Sequence, residues 1–185
     1  YNENLALKDY VSIVGLGAAY TDVVIKPASG TVVSTAGSGA TVTLQNVCLE
    51  MDGSSSSDKL IVMDDATGYL LIKNCLLTYT QGADYAVTPV DVTSAFLFLV
   101  DTPYYFNGFN GSTSGVIAMD TTVGTDLETN GFNMVFSSQA VSGTETAFRI
   151  NGTSEVDLVT IPVNHTNNNA SFSGTFRMFD ITVGS

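Results

Sequence analysis

The sequence predicts an all-β chain wound as a parallel β-helix, on three observations. No window carries the sustained i, i+3, i+4 apolar spacing of a helix, while Val, Ile, Thr, Phe and Tyr fill short apolar runs, as they do in strands. Gly, Asn, Asp and Ser punctuate those runs, the pattern of many short strands. The chain also repeats. Thr43-Leu44-Gln45-Asn46-Val47-Cys48-Leu49 and Leu71-Ile72-Lys73-Asn74-Cys75-Leu76-Leu77 share an apolar, polar, Asn, apolar-triplet pattern 28 residues apart. A repeat of that length, with two or three short strands and no helix, suits one coil of a solenoid.

Taken in order, candidate strands fall at residues 11–14, 22–25, 31–34, 41–44, 47–51, 59–63, 69–72 and 76–79. They continue at 96–100, 116–119, 134–136, 147–150, 156–160, 171–172, 175–179 and 181–183. Several close on an acid or its amide, as in Val62-Met63-Asp64, Val100-Asp101, Met119-Asp120, Ile150-Asn151 and Phe179-Asp180. Residues 79–92 and 103–114 read as projecting loops. Asn-Gly pairs at Asn107, Asn110, Asn130 and Asn151 are hairpin signals that taken alone favour antiparallel sheets; the repeats point to parallel coils. The expectation is one domain, 1–185, regular over 1–80 and less regular over 81–185, where the strands turn irregular or antiparallel. Asn46 and Asn74 are the candidates for a ladder at the coil corners, because Asn tolerates the left-handed region and bonds its own backbone.

Composition narrows the function. Six Lys+Arg against 18 Asp+Glu give −12 in 185 residues. With 44% hydrophobic residues the chain can bury a core, which excludes a disordered chain. Its apolar runs fall far short of a membrane span. Six scattered cations cannot neutralise a phosphate backbone, so nucleic acid is not an expected partner. Tyr1 in place of Met reads as a fragment or processed product, with no signal peptide in this piece. Cys48 and Cys75 sit in apolar runs, without metal-site spacing, and read as buried free thiols.

The opening Asn4-Leu5-Ala6-Leu7-Lys8-Asp9-Tyr10-Val11-Ser12-Ile13-Val14-Gly15-Leu16-Gly17, with Val23-Val24-Ile25 after it, resembles the first coil of the pectate-lyase-like right-handed β-helices. The likeness covers about the first 80 residues and is strongest to β-helical viral and phage structural proteins: tailspikes, fibres and capsid decorations. It implies a right-handed solenoid, and a function that sits on the fold rather than following from it.

The candidate chemistry is thin. Gly15-Leu16-Gly17 lacks the third Gly and the helix of a dinucleotide fingerprint and reads as a tight turn. Asp64-Asp65 faintly resembles the paired aspartates of the polygalacturonase family, whose accompanying Asn-Thr-Asp, His-Gly and Arg-Ile-Lys motifs are missing. Asp64, Asp65, Asp101 and Asp120 line one side if the repeats stack in register, as a glycosidase needs; turn closure explains them more simply. Arg149 and Arg177 fall at matched repeat positions and read as an outer-face pair with a partner such as Asp180. His165 lies in a polar stretch, Pro162 to Asn169, and reads as an exposed loop residue. The segment 52–58, with four serines, reads as a flexible loop rather than a calcium site. Sequons occur at Asn110, Asn151, Asn164 and Asn169. Tyr104, Tyr105 and Phe106 form the aromatic-dense stretch available to a glycan or an interface.

The functional expectation is therefore a structural virion protein, a capsid decoration, fibre or spike subunit, with no catalytic, cofactor or metal residues. Its expected partners are copies of itself, as a trimer, and other virion proteins, at a virion or extracellular surface; a surface glycan is a further candidate. The alternatives are a carbohydrate-binding or polysaccharide-degrading β-helix, whose enzyme class would be hydrolase or lyase, and a cell-surface adhesin module.

Overall fold

A computed structural model describes residues 1–8, 10–35, 41–64, 68–82, 87–93, 95–108, 117–121, 126–138, 144–152, 155–159, 162–168, 170–171 and 173–183. Among them the chain visits three sheets in fixed rotation. Sheet A stacks β1 (Leu5–Leu7), β4 (Thr31–Thr35), β7 (Lys59–Met63), β10 (Val90–Val92), β13 (Ile117–Thr121), β16 (Thr144–Gly152) and β19 (Thr175–Val183). Sheet B stacks β2 (Ser12–Val14), β5 (Thr41–Gln45), β8 (Gly68–Lys73), β11 (Ala95–Val100), β14 (Asp126–Asn130) and β17 (Glu155–Val159). Sheet C stacks β3 (Val24–Ile25), β6 (Cys48–Gly53), β9 (Leu76–Gln81), β12 (Pro103–Asn107), β15 (Asn133–Ser138) and β18 (Val163–Asn167). Each strand pairs in parallel with its counterparts one turn away. The protein is a parallel β-solenoid with almost no helix; one 3-10 turn spans Tyr20–Asp22.

The parallel pattern holds through residues 81–185 as well, so antiparallel strands do not appear among the described residues. Asn130-Gly131 does not close a hairpin. It turns the chain from sheet B into sheet C, with Gly131 at φ +67°. The stretches read as loops contain strands β10 and β12. Pro103 starts β12, where the lack of an N–H is tolerated. Ser171 lies in a turn, and the two candidate strands after it are the single strand β19.

The Asp-closed strands are not all equivalent. Those ending near Asp64, Asp120, Asn151 and Asp180 belong to sheet A, whereas the one ending at Asp101 belongs to sheet B. Arg149 pairs in register with Asp180 and Thr146 with Arg177, so the two arginines are not stacked. Arg177 instead meets Asp180 on its own strand, 3.2 Å away.

Alternation along each strand fills the interior with in-register apolar rows. One row of sheet C runs Leu49, Leu77, Tyr104, Met134, Val163, and the next Met51, Tyr79, Phe106, Phe136, His165. The rings of the second row pack at centroid distances of 5.9 Å (Tyr79 to Phe106), 4.9 Å (Phe106 to Phe136) and 5.3 Å (Phe136 to His165). Phe176 of β19 then stacks on His165 at 4.0 Å. His165 is therefore not an exposed loop residue. It is a rung of the inner column, and its Nε2 lies 2.7 Å from Oε2 of the fully buried Glu145.

The corner between sheets B and C has its own column. Asn46, Asn74 and Asp101 all take the left-handed conformation, with φ of +56°, +50° and +48°, and Gly131 continues the series. Backbone bonds run from Asn46 N–H to Lys73 O, Asn74 N–H to Val100 O and Asp101 N–H to Asn130 O. The Asn74 amide donates to Asn46 Oδ1 at 3.3 Å, and the Asn46 amide donates to the carbonyls of Gly15 and Gly17, each at 2.9 Å. Gly15 is required at the head of this column: a Cβ there would sit 2.0 Å from the Asn46 carbonyl oxygen. Just inside the corner, Cys75 Sγ–H and Thr102 Oγ–H make the same kind of bond to carbonyls of the preceding turn, Leu44 and Ile72.

Candidate interaction face

Among the described strands the interior is filled with apolar side chains, and the outer faces of the sheets meet solvent. On sheet B the outward positions form three rows. The first is Thr41, Tyr69, Phe96; the second is Ser12, Thr43, Leu71, Phe98; the third is Val14, Gln45, Lys73, Val100, Asn130. The two central strands, β8 and β11, therefore present an apolar patch to the outside. Tyr69 stacks on Phe98 with centroids 4.5 Å apart and planes 22° apart, and Phe96 lies 6.3 Å from Tyr69. Tyr69 is exposed and Phe96, Leu71, Phe98 and Val100 are half-buried. Polar Thr and Ser positions border the patch on the β5 and β2 side.

The aromatic stretch singled out in the sequence divides across sheet C. Tyr104 and Phe106 face inward and are buried, which removes them from contact with a glycan or a partner; Tyr105 faces outward and is half-exposed. The reason is strand alternation, which a loop reading does not apply. Burial, and then the neighbouring Tyr79, push the Tyr104 phenol well above its ordinary value. Its hydroxyl has no hydrogen-bond partner among the described residues. Asn46 and Asn74 sit at the corner column described above.

The serine-rich segment is ordered around a buried acid. Asp58 is 1% exposed and accepts from Gly30 N–H at 2.7 Å, Ser54 N–H at 2.8 Å, Ser55 N–H at 2.9 Å and Ser54 Oγ–H at 3.1 Å. Burial pushes its carboxyl up, but these four bonds outweigh it and hold the group below the usual carboxylate range. The segment is a turn built on an Asp, not a flexible loop. Cations serve similar ends. Lys26 contacts Glu50 at 2.6 Å and Asp52 at 2.8 Å, one turn on, and its pKa rises to about 12 through hydrogen bonds to Asp52 and then Glu50. Lys59 pairs with Asp91 of the next turn.

Both thiols are free and buried. Desolvation, then Glu50 and Cys75, push Cys48 up to about 11, and burial raises Cys75, so neither is a ready nucleophile. Asp64 is exposed after β7 of sheet A, and Asp101 is exposed at the sheet B to sheet C corner, so the solenoid sets them at different corners. Asp65, Asn110 and Asn169 lie outside the described residues, as does the side chain of Asp120. Asn164 is exposed on β18. No group of three or more His, Cys, Asp or Glu suited to a metal ion occurs among the described residues. No helix among them is long and apolar enough to cross a membrane.

Sequence reasoning missed the outer patch because Phe96-Leu97-Phe98-Leu99-Val100 reads as a uniformly apolar run. Tyr69 pairs with Phe96 one coil onward, one residue short of the Asn46 to Asn74 offset, so carrying that offset forward sets Tyr69 against the inward Leu97 and hides the patch. Comparison with protein families, curated proteins and solved structures finds no match for the chain.

Proposed function

We propose that the chain is a structural subunit of a virion surface, a capsid decoration, fibre or spike, that acts as an assembly of copies of itself and performs no catalysis. The observation that carries this reading is where its polar side chains go. Asn46, Asn74, Asp58, Lys26 and Lys59 each tie one turn of the solenoid to the next rather than converging on a cleft. Such ties make a stiff rod whose shape is the product. The virion assignment rests on the resemblance of the first coil and of the Thr-Leu-Gln-Asn-Val-Cys-Leu coil after it.

The test is the mass of the native particle by light scattering, with electron micrographs of the same sample. Ordered oligomers, or density on a capsid or fibre, support the reading; a monomer at every concentration overturns it. A parallel screen of acidic and neutral glycans for cleavage, with Asp64→Asn as control, addresses the polysaccharide-degrading alternative. Turnover lost in that variant would replace the structural reading with an enzymatic one.

A further inference from the structure

Two of the sequons, at Asn151 and Asn164, have an acceptor side chain among the described residues, and the fold treats them differently. Asn164 and Thr166 lie on β18 with His165 between them. An extended strand sets residues two apart on one face, about 6.6 Å from each other. The acceptor amide and the hydroxyl of this sequon therefore emerge together, and both residues are exposed. His165 points the other way, with Nε2 2.7 Å from Glu145 Oε2 and its ring packed against Phe136 at 5.3 Å and Phe176 at 4.0 Å. That anchor holds the register, because a slip of one residue turns His165 out and Asn164 in. We propose that Asn164 is the acceptor of an N-linked glycan that stands on the outer face of sheet C. The proposal goes beyond the self-assembling reading above and does not depend on it.

The surroundings suit a bulky, hydrated substituent. Asn164 pairs in register with Val135, and Thr166 with Ser137. The strands beyond carry Tyr105 and Asn107, then Thr78 and Thr80, in the same outward rows. None of these positions is charged. Strand β18 is the outermost described strand of sheet C, so among the described strands a glycan there meets a neighbour on one side only. Asn151 is the contrast. It lies on β16 with β13 and β19 paired on either side, it is half-buried, and it has partners of its own. A sugar on that residue has to displace them. A glycan on Asn164 covers sheet C and leaves the aromatic patch of sheet B bare, so the three-sided rod gains one shielded face.

The step is a group transfer without redox change. Nδ2 of Asn164 forms a bond to the anomeric carbon of an oligosaccharide carried on a lipid pyrophosphate. The bond from that carbon to the pyrophosphate oxygen breaks. The lipid pyrophosphate leaves with the electron pair, and the amide proton passes to a base of the transferase. Thr166 supplies the hydroxyl that the acceptor motif requires.

The test is secretion of the whole chain from a eukaryotic host behind a cleaved leader. Peptide mass spectrometry before and after enzymatic deglycosylation then reads each sequon in folded, secreted protein, with circular dichroism as the check on folding. The expected result is a glycan on the Asn164 peptide and an unmodified Asn151. Asn164→Gln and, separately, Thr166→Ala each abolish the glycan on that peptide, whereas Thr166→Ser keeps it. Both positions face outward, and Thr166→Ala leaves Asn164 in place, so one variant decides should the other fail to fold. An unmodified Asn164 overturns the proposal. So does a glycan on Asn151 at equal occupancy, or one on Asn164 that survives Thr166→Ala. A glycosylated chain that stays monomeric keeps this site and removes the structural reading, whereas an unmodified oligomer does the reverse.

Discussion

Two sets of aromatic rings occupy the same solenoid and face opposite ways, one into the core and one to the solvent. Tyr79, Phe106, Phe136 and His165 stack inward on sheet C; Tyr69, Phe96 and Phe98 cluster outward on sheet B. Both use the one-turn register of a parallel sheet to bring side chains of distant residues together. The inner column is closed by the fold itself, with Phe176 stacked on its last rung. The outer cluster leaves Tyr69 exposed. The comparison teaches that in this fold a shift of one residue decides whether a ring packs into the core or faces the solvent.

Substitutions at equivalent rungs separate the two roles. The largest expected effect is at the inner column: Phe136→Ala lowers unfolding stability by about 3–5 kcal/mol, the usual cost of emptying a buried aromatic site. Denaturant melts monitored by circular dichroism measure it. The matching outward change, Phe98→Ser, is expected to cost the monomer about 1 kcal/mol, from the lost stack on Tyr69. Equal losses at the two positions would dissolve the distinction.

Next in size are the polar ties between turns. Asp58→Ala strands the N–H groups of Gly30, Ser54 and Ser55 and is expected to cost about 2–3 kcal/mol. Because the folded state holds this carboxyl below its ordinary value, its stabilisation is present above about pH 4. It fades as pH falls through the depressed folded value. An acid titration of stability that is steeper for the wild type than for Asp58→Asn below that point measures it. Asn74→Ala forces alanine to φ +50° and breaks the bond to Asn46, for a loss of about 2 kcal/mol, whereas Asn74→Gly relieves the backbone and loses less. The smallest effect has the opposite sign. Tyr104→Phe removes a buried hydroxyl with no partner among the described residues and is expected to raise stability by up to about 1 kcal/mol.

Much of the fold was legible because the strand composition of the short apolar runs and the Asn46 to Asn74 offset were both in the sequence. Strand β7 (Lys59–Met63) and the pairing of Cys48 over Leu76 follow directly from them. The second half was harder for a physical reason. Turn lengths vary there, so equivalent residues drift from a fixed offset, and the corner position passes from Asn to Asp101 and then Gly131. Those three residue types share tolerance of the left-handed region and little else. Strand β18 was hidden by its own outward residues: Asn164 and Thr166 are polar and exposed, while Val163 and His165 point in. A histidine gives no periodic signal of burial when its partner, Glu145, lies on a strand of another sheet.

Because each strand pairs only with strands one turn away, and because Thr41 lies over Tyr69 and Cys48 over Leu76, the solenoid behaves as a molecular ruler. Its cross-section is set by the three sheets, and its length changes in steps of one strand spacing, about 4.8 Å. Whole coils inserted or excised between such matched positions would lengthen or shorten the rod without redesigning its core. The reach of the molecule is thus encoded in a count of coils, separately from the residues that coat its surface.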